Sequence, residues 1–210
     1  MAKMLDLRTL NLGMFQVNCF VLVDETAKQF LIIDSPGIDP FFDTLLNAGY
    51  TAKWILLTHA HIDHIAALKT IKEKLECPIG VHRDDYFLFQ HVSGNPFQQM
   101  LNAQVPPEPD IFLEEGMTFE LGEQSIRILH TPGHTPGGCS LVVEDTGVFT
   151  GDTLFFEGIG RTDLPGGDTT TLLGSIRNKL FALPDETGVF PGHGPKTTIG
   201  HEKKYNPFIQ

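Results

Sequence analysis

The chain has 210 residues, of which 41% are hydrophobic, and a formal net charge of -11. This length and apolar content suffice for one sizeable core, so we expect a single domain over residues 1–210. The acidic balance argues against a nucleic-acid partner, because such proteins neutralise phosphates with clustered Lys and Arg. No apolar segment reaches membrane-spanning length, and the stretch Met1–Asp6 lacks the apolar core of a signal peptide. We therefore expect a cytoplasmic protein that does not associate with membranes.

The three cysteines are Cys19, Cys77 and Cys139, and no two of them are close in sequence. This odd number without a short spacing fits neither a disulfide framework nor a zinc finger. Cys19 and Cys139 lie in apolar alternation, so we predict burial rather than reactivity. The cysteines thus indicate a reducing compartment.

The first half of the chain is predicted to contain strands, then helices that alternate with strands. Leu5 and Leu7 alternate with polar residues, and further strands are predicted at residues 17–23, 30–33, 54–58 and 79–82. Helices are predicted from Phe41 to before Gly49, over 65–75 and over 86–91. Residues 94–110 contain four prolines and no clear period, which predicts a loop that either lines a cleft or only connects elements.

The second half repeats the strand-rich pattern. Strands are predicted at residues 117–121, 126–129, 139–143, 148–150 and 188–191. Asp168 can cap a helix whose apolar face continues to Phe181. The chain is therefore predicted to be an α/β protein with two sheet-rich halves.

The segment with the most closely spaced ionisable side chains is His59-Ala60-His61-Ile62-Asp63-His64, which directly follows the apolar run 54–58. Imidazoles this close repel one another when protonated, whereas a divalent cation accepts the lone pair of each. His134, Asp152 and His193 also follow the carboxyl ends of predicted strands. Because ligands bind beyond the carboxyl ends of strands in open α/β sheets, we expect all of these side chains to meet in one crevice.

The number of candidate ligands favours two metal ions. One tetrahedral site needs four ligands, while His59, His61, Asp63, His64, His134, Asp152 and His193 make seven, without a thiolate. If Asp152 bridges, each metal has three further protein ligands and room remains for a shared water, whose pKa two dications would lower towards neutrality. Zinc is our first expectation, although iron and manganese accept the same donors.

These residues resemble the metallo-β-lactamase superfamily, and their order and context are similar to its glyoxalase II branch. The resembling motifs are His59-x-His61-x-Asp63-His64, Thr131-Pro132-Gly133-His134, Thr150-Gly151-Asp152 and Pro191-Gly192-His193-Gly194. The resemblance implies an αββα sandwich. It also implies a first metal on His59, His61 and His134, a second on Asp63, His64 and His193, and a shared Asp152.

The stretch 154–168 is similar to short, single-domain members of that branch, and only 17 residues follow His193. We therefore expect no C-terminal helical domain of the kind that helps glyoxalase II to hold glutathione. Arg161 and Lys196 are predicted anchors for an anionic substrate. For Arg161, a structural salt bridge is an equally good interpretation.

The resemblance implies hydrolysis of a small-molecule acyl-thiol such as S-lactoylglutathione by a metal-bridging hydroxide, with Asp63 both ligating metal and orienting the hydroxide. The main alternative is a mononuclear iron persulfide dioxygenase that uses His59, His134 and Asp152, with His61 outside the ligand set. A noncatalytic metal-binding protein is the third possibility.

Other branches fit less well. Oxygen-reducing diiron members carry Glu at the position of His61, many zinc β-lactamases carry Cys at that of Asp152, and tRNA-processing members need an RNA-binding attachment. The remaining histidines lack motif context and are expected at the surface or in ordinary hydrogen bonds. They are His82, His91, His130 and His201.

Overall fold

A computed structural model describes residues 4–209 of the chain. Met1, Ala2, Lys3 and Gln210 lie outside the described residues. The prediction of one domain over residues 1–210 and the prediction about the stretch Met1–Asp6 therefore both extend beyond the part of the chain that the structure describes. Within residues 4–209, no helix is both long enough and apolar enough to cross a bilayer. Cys19 and Cys139 are buried and free, as predicted, and so is Cys77.

Within the described part of the chain, the first sheet has six strands, arranged in the order of the sequence. They are β1 (Asp6–Leu12), β2 (Val17–Asp24), β3 (Gln29–Ile33), β4 (Thr51–Leu56), β5 (Ile79–His82) and β6 (Ile111–Leu113). The first three pair antiparallel, and β3 to β6 pair parallel. Seven of the eight residues of β2 are buried, which is typical of a strand covered on both faces.

The second sheet also has six strands. They are β7 (Thr118–Leu121), β8 (Gln124–His130), β9 (Cys139–Val143), β10 (Gly147–Gly151), β13 (Gly188–Pro191) and β14 (Thr197–Thr198). Their spatial order is β14-β13-β10-β9-β8-β7, and of these pairs β10 and β13 are parallel. A small separate ribbon follows β10, formed by β11 (Leu154–Phe155) and β12 (Gly158–Ile159).

Within residues 4–209 the chain forms six short α-helices. They are α1 (Phe41–Asn47), α2 (Ile62–Ile65), α3 (Leu68–Leu75), α4 (Tyr86–Gln90), α5 (Thr169–Ser175) and α6 (Ile199–Tyr205). One buried cluster joins α1 and α3 to the first sheet, and another joins α5 and α6 to the second. A third lies between the sheets and includes Phe20, Leu31 and Phe149. The predicted αββα sandwich is confirmed.

Two predicted helices are divided. The helix expected over 65–75 breaks at Ala66 and Ala67, because Ser35 binds the backbone there: its N–H donates to the His64 carbonyl and its carbonyl accepts from Ala67 N–H. The helix expected to continue to Phe181 ends at Ser175 and passes into a wider helical turn over Ile176–Leu180. The loop predicted over 94–110 is confirmed, since these residues form neither helix nor strand.

Candidate metal centre

The seven predicted ligands come together where the strands of both sheets end. His59 follows β4, Asp63 and His64 lie in α2, His134 follows β8, Asp152 follows β10 and His193 follows β13. Their donor atoms form three groups, each with all atoms within 4.8 Å of one another. The groups are His59, His61 and His134; Asp63, His64 and His193; and His59, His64 and Asp152.

Asp152 lies between the first two groups. Its Oδ1 is 3.4 Å from His64 Nε2. Its Oδ2 is 3.6 Å from Nε2 of His134 and also 3.6 Å from Nε2 of His193. The carboxylate thus contacts members of both groups, which is the position that a shared ligand requires.

Hydrogen bonds on the outer ring nitrogens aim three of the histidines at the cluster. Nδ1 of His59 is 3.1 Å from Thr58 Oγ1, Nδ1 of His134 is 2.7 Å from the Arg161 carbonyl, and Nδ1 of His193 is 3.1 Å from the Phe15 carbonyl. Each contact leaves Nε2 free to face the centre. Such outer partners orient the rings of metal-binding histidines and select their tautomers.

His64 is oriented in the same way by Asp34, a residue that the sequence analysis missed. The Asp34 carboxylate accepts from His64 Nδ1, Thr58 Oγ1 and Thr58 N–H, each at 2.8 Å. Asp34 is 1% exposed and has a left-handed φ of 61°. The signal in the sequence was an aspartate directly at the end of the apolar run Phe30–Ile33.

A second missed residue, Asp85, joins the two main ligand loops. Its buried carboxylate accepts from Ala60 N–H at 2.9 Å, from the Thr135 hydroxyl at 2.8 Å and from Gly137 N–H at 2.6 Å. Ala60 lies in the first histidine motif, whereas the other two donors closely follow His134. Burial raises the pKa of Asp85 to about 6, although these three hydrogen bonds oppose the rise.

The donor set fits divalent cations. His59 Nε2 and Asp152 Oδ1 are buried without a hydrogen-bond partner, although such atoms are usually paired. His61 Nδ1 lies only 2.9 Å from His134 Nε2, so two ring nitrogens point at each other. Imidazole and carboxylate groups with free lone pairs suit zinc, iron and manganese alike.

A profile described as the metallo-beta-lactamase superfamily matches residues 12–193. The chain belongs to the metallo-β-lactamase superfamily. Among relatives, the hydroxyacylglutathione hydrolase GloC of Haemophilus influenzae is 39% identical over 204 residues, which are 93% of each chain. The probable metallo-hydrolase YqgX of Bacillus subtilis is 38% identical over 205 residues, or 96% of each chain.

Solved structures agree with this assignment. The BLEG-1 B3 metallo-beta-lactamase is 36% identical, with a TM-score of 0.88 over 98% of this chain and 100% of its own. TTHA1623, crystallised in a di-iron-bound form, is 36% identical, with a TM-score of 0.82 over 96% and 99%. ETHE1 from Myxococcus xanthus is 28% identical, with a TM-score of 0.78 over 96% and 83%. Members of the superfamily thus include metallo-hydrolases, and a divalent-metal site is expected at the His/Asp cluster.

The pKa shifts divide the ligands of this site into two classes, those in which burial determines the shift and those in which neighbouring opposite charges do. Burial, reinforced by neighbouring histidines, lowers the pKa of His59 far below its usual value and that of His61 to about 4. For His64, burial acts in the same direction, but the charges of Asp152 and Asp34 outweigh it and raise the pKa. Burial would raise the pKa of Asp63, yet its hydrogen bond with His193 and the charge of His64 lower it. The carboxylate therefore stays ionised.

Glycine lets the last ligand loop approach the cluster. A Cβ on Gly192 would collide with Asp152 Oδ1 and lie 2.7 Å from His64 Cε1. The loop is held by Asn18 of β2, whose side-chain amide donates to the carbonyls of Pro191 at 2.9 Å and Gly194 at 3.0 Å. Asn18 N–H also donates to the Gly192 carbonyl at 2.7 Å. The N-terminal half thereby fixes the position of the final ligand.

A pocket of about 790 Å³ opens onto the cluster. Arg161 lines it, and its guanidinium donates to both oxygens of Asp163, at 2.8 and 2.7 Å. Lys196 is exposed and is not among the residues that line the pocket. The roles predicted for both residues as substrate anchors stay predictions.

The remaining histidines lie outside the cluster. The rings of His82 and His130 stack with their centroids 4.0 Å apart, near Asp84. His201 contacts Glu157 at 3.0 Å. His91 is exposed, as predicted, but it also lines the pocket, a position that the sequence analysis missed.

Proposed function

We propose that the protein is a binuclear metal-dependent hydrolase of thioesters, with zinc as the first expected metal and S-lactoylglutathione as the model substrate. The observation that carries the proposal is the position of Asp152 between two triads of donor atoms. The GloC relative supports the reaction class, because the match covers 93% of a protein described as a hydroxyacylglutathione hydrolase. The free, buried cysteines suit the reducing cytoplasm that we propose as its location.

In this proposal His59, His61 and His134 would hold one cation, and Asp63, His64 and His193 the other, with Asp152 shared. When bound, the cations would supply Lewis acidity and lower the pKa of a coordinated water. The chain itself supplies the orientation of every donor, through Thr58, Asp34 and the carbonyls described above.

Asp63 is our candidate for orienting the attacking water. It lines the pocket, its Oδ2 is 3.5 Å from His193 Nε2, and its lowered pKa keeps it able to accept a hydrogen bond from water. The leaving group needs little help from an acid, because thiols ionise near pH 8 to 9 (pKa about 8.5) and depart as thiolates. This fits the pocket, where the carboxylates of Asp63 and Asp152 are expected to be ionised.

The position of His61 favours the hydrolase over the mononuclear dioxygenase. The dioxygenase arrangement would use His59, His134 and Asp152, with His61 outside the ligand set. Here His61 Nδ1 is 2.9 Å from His134 Nε2 and groups with His59. Three imidazoles therefore converge, as the first site of the hydrolase requires.

The proposal is tested with purified protein of known metal content in three parallel assays. They follow S-lactoylglutathione hydrolysis, oxygen uptake with glutathione persulfide, and hydrolysis of a β-lactam, the last because BLEG-1 is described as a β-lactamase. We expect thioester cleavage that requires metal and consumes no oxygen. Oxygen consumption without thioester cleavage would show that the protein is the dioxygenase instead. Cleavage of the β-lactam alone would show that it is a β-lactamase.

A further inference from the structure

The pocket has two chemically different sides. The His/Asp cluster forms one side, and large apolar side chains form the other, among them Phe15, Phe87, Val92, Phe97 and Leu164. Three of these come from α4 and the loop that follows it, and Phe15 comes from the turn between β1 and β2. A substrate whose reacting carbon lies at the cluster must therefore place one of its arms against an apolar wall.

Two aromatic rings stand at the outer part of this wall. Phe15 and Phe97 are 40% and 48% exposed, and their rings meet edge to face with centroids 6.0 Å apart. The Phe15 carbonyl also accepts from His193 Nδ1 if that nitrogen carries the proton, at 3.1 Å. Exposed apolar surface that continues into a pocket is a common mark of a ligand-binding site. The aromatic pair is thus fixed beside the predicted reaction centre.

Few cations are present to hold an anionic carrier. Among the described residues that line the pocket, Arg161 is the one Lys or Arg, and Asp163 engages its guanidinium through both oxygens. Glutathione carries two carboxylates, each of which needs a cationic or N–H partner when it leaves water. The lining fits a neutral apolar group better than it fits that tripeptide.

On the basis of the proposed hydrolase function, we propose that the preferred substrate is a thioester with an apolar acyl chain, which lies between Phe15, Phe97 and Phe87. The carbonyl would face the His/Asp cluster, and the thiol carrier would extend towards solvent. Glutathione would then be an accepted carrier but not the recognised part. The acyl chain, rather than the thiol, would determine specificity.

The test is a series of thioesters of N-acetylcysteamine, a small neutral thiol, with acetyl, butyryl and hexanoyl groups. Each buried methylene strengthens binding about fourfold, so kcat/KM should rise at least about 10-fold from acetyl to hexanoyl on a half-open wall. Phe97→Ala should reduce this hexanoyl-to-acetyl ratio to about 2-fold or less. The ratio does not depend on the fraction of active protein, so partial unfolding cannot imitate the result.

Met100→Ala is the matched control, because Met100 is 43% exposed in the same loop but is not among the residues that line the pocket. It should leave the ratio at its wild-type value. A ratio near 1 in the wild-type protein overturns the proposal, as does an equal effect of Phe97→Ala and Met100→Ala. Phe97→Leu, which keeps an apolar side chain, should retain most of the ratio.

A binding measurement separates this proposal from the hydrolase assignment. Dissociation constants of the metal-free protein are measured for methyl and hexyl thioethers of N-acetylcysteamine, which cannot be hydrolysed. If the hexyl thioether binds more tightly than the methyl thioether, and Phe97→Ala abolishes this difference, the acyl site is supported even if no thioester is cleaved. Thioester cleavage with equal binding of both thioethers would refute the acyl site and leave the hydrolase standing.

Discussion

Replacing Asp34 by Asn is expected to weaken metal binding at the group that contains His64. The Asp34 carboxylate accepts from Thr58 N–H, the Thr58 hydroxyl and His64 Nδ1, each at 2.8 Å. An amide has one acceptor oxygen, and its NH2 group cannot accept a proton from Nδ1. His64 would then carry its proton on Nε2, the atom 3.4 Å from Asp152 Oδ1, and would lose the lone pair that a cation needs.

The expected loss follows from the geometry. Removing an outer partner of a ligating histidine typically reduces metal affinity about 10- to 100-fold, or about 1.4 to 2.8 kcal/mol. The structural cost should be smaller, about 1 kcal/mol, because the amide oxygen can still accept from Thr58 N–H and the Thr58 hydroxyl can accept from the amide. Metal binding should therefore suffer more than folding.

Competition with a chelator measures the affinity for each metal equivalent, and urea unfolding of the metal-free protein measures stability. Asp24→Asn is the matched control, because among the described residues Asp24 accepts hydrogen bonds from two turn N–H groups, those of Thr26 and Ala27, at 2.7 and 2.9 Å. The reasoning is refuted if Asp34→Asn binds both metal equivalents with wild-type affinity. It is also refuted if the loss of affinity is no larger than that of Asp24→Asn.

Three further predictions concern the same centre. Asp152→Ala should lose both metals and turnover, as measured by metal analysis and thioester hydrolysis; full activity with two metals retained would contradict the bridging role. Gly192→Ala should destabilise the protein by about 1 to 3 kcal/mol in urea unfolding and lower its metal content, because the added Cβ has no room beside Asp152. Gly174→Ala is the control, because the Cβ added there would meet its nearest neighbour at an ordinary 3.9 Å. In the metal-free protein, stability should fall as pH drops from 6.5 to about 4, because burial lowers the pKa of His61 and the unfolded chain is protonated first. It should also fall as pH rises above 6.5, because Asp152 and Asp34 raise the pKa of His64, whose proton the unfolded chain releases first. Because burial also raises the pKa of Asp85 to about 6, which opposes the fall on the acid side, the two histidine shifts are checked by NMR titration of the individual imidazoles; ordinary pKa values for His61 and His64 would contradict them.

The strands were predictable because apolar runs and alternation depend on burial alone. Residues 17–23, for example, lie within β2 and are all buried. Helix α6 was not predictable in this way, since Ile199 is its one buried apolar residue. The helix is held instead by the buried carboxylate of Glu202, which accepts from Thr197 Oγ1 at 2.6 Å, Asn206 Nδ2 at 2.8 Å and Glu157 N–H at 2.9 Å. A tertiary contact of this kind produces no periodic pattern in the local sequence.

The ligands were predictable because they lie in recognisable motifs that follow strands, either in the loop after the strand or in the short helix α2, and the structure brings all seven together. Their orienting groups were not predictable, because backbone groups supply many of these contacts. Asp85 accepts from Ala60 and Gly137 N–H, which are 25 and 52 residues away, and nothing in the sequence around Asp85 indicates those partners. The pocket wall likewise depends on how the loop 94–110 lies over the cluster.

The hydrogen bonds from Asn18 to the loop that carries His193 have a consequence for the stage of synthesis at which the protein could bind metal. Asn18 bonds to the Pro191 carbonyl, 173 residues later, so the ribosome adds the second partner long after the first. A growing polypeptide carries His59, His61 and His64 long before the final histidine exists. Any ion captured at that stage would have an incomplete set of donors, so stable metal loading would require translation to proceed beyond His193.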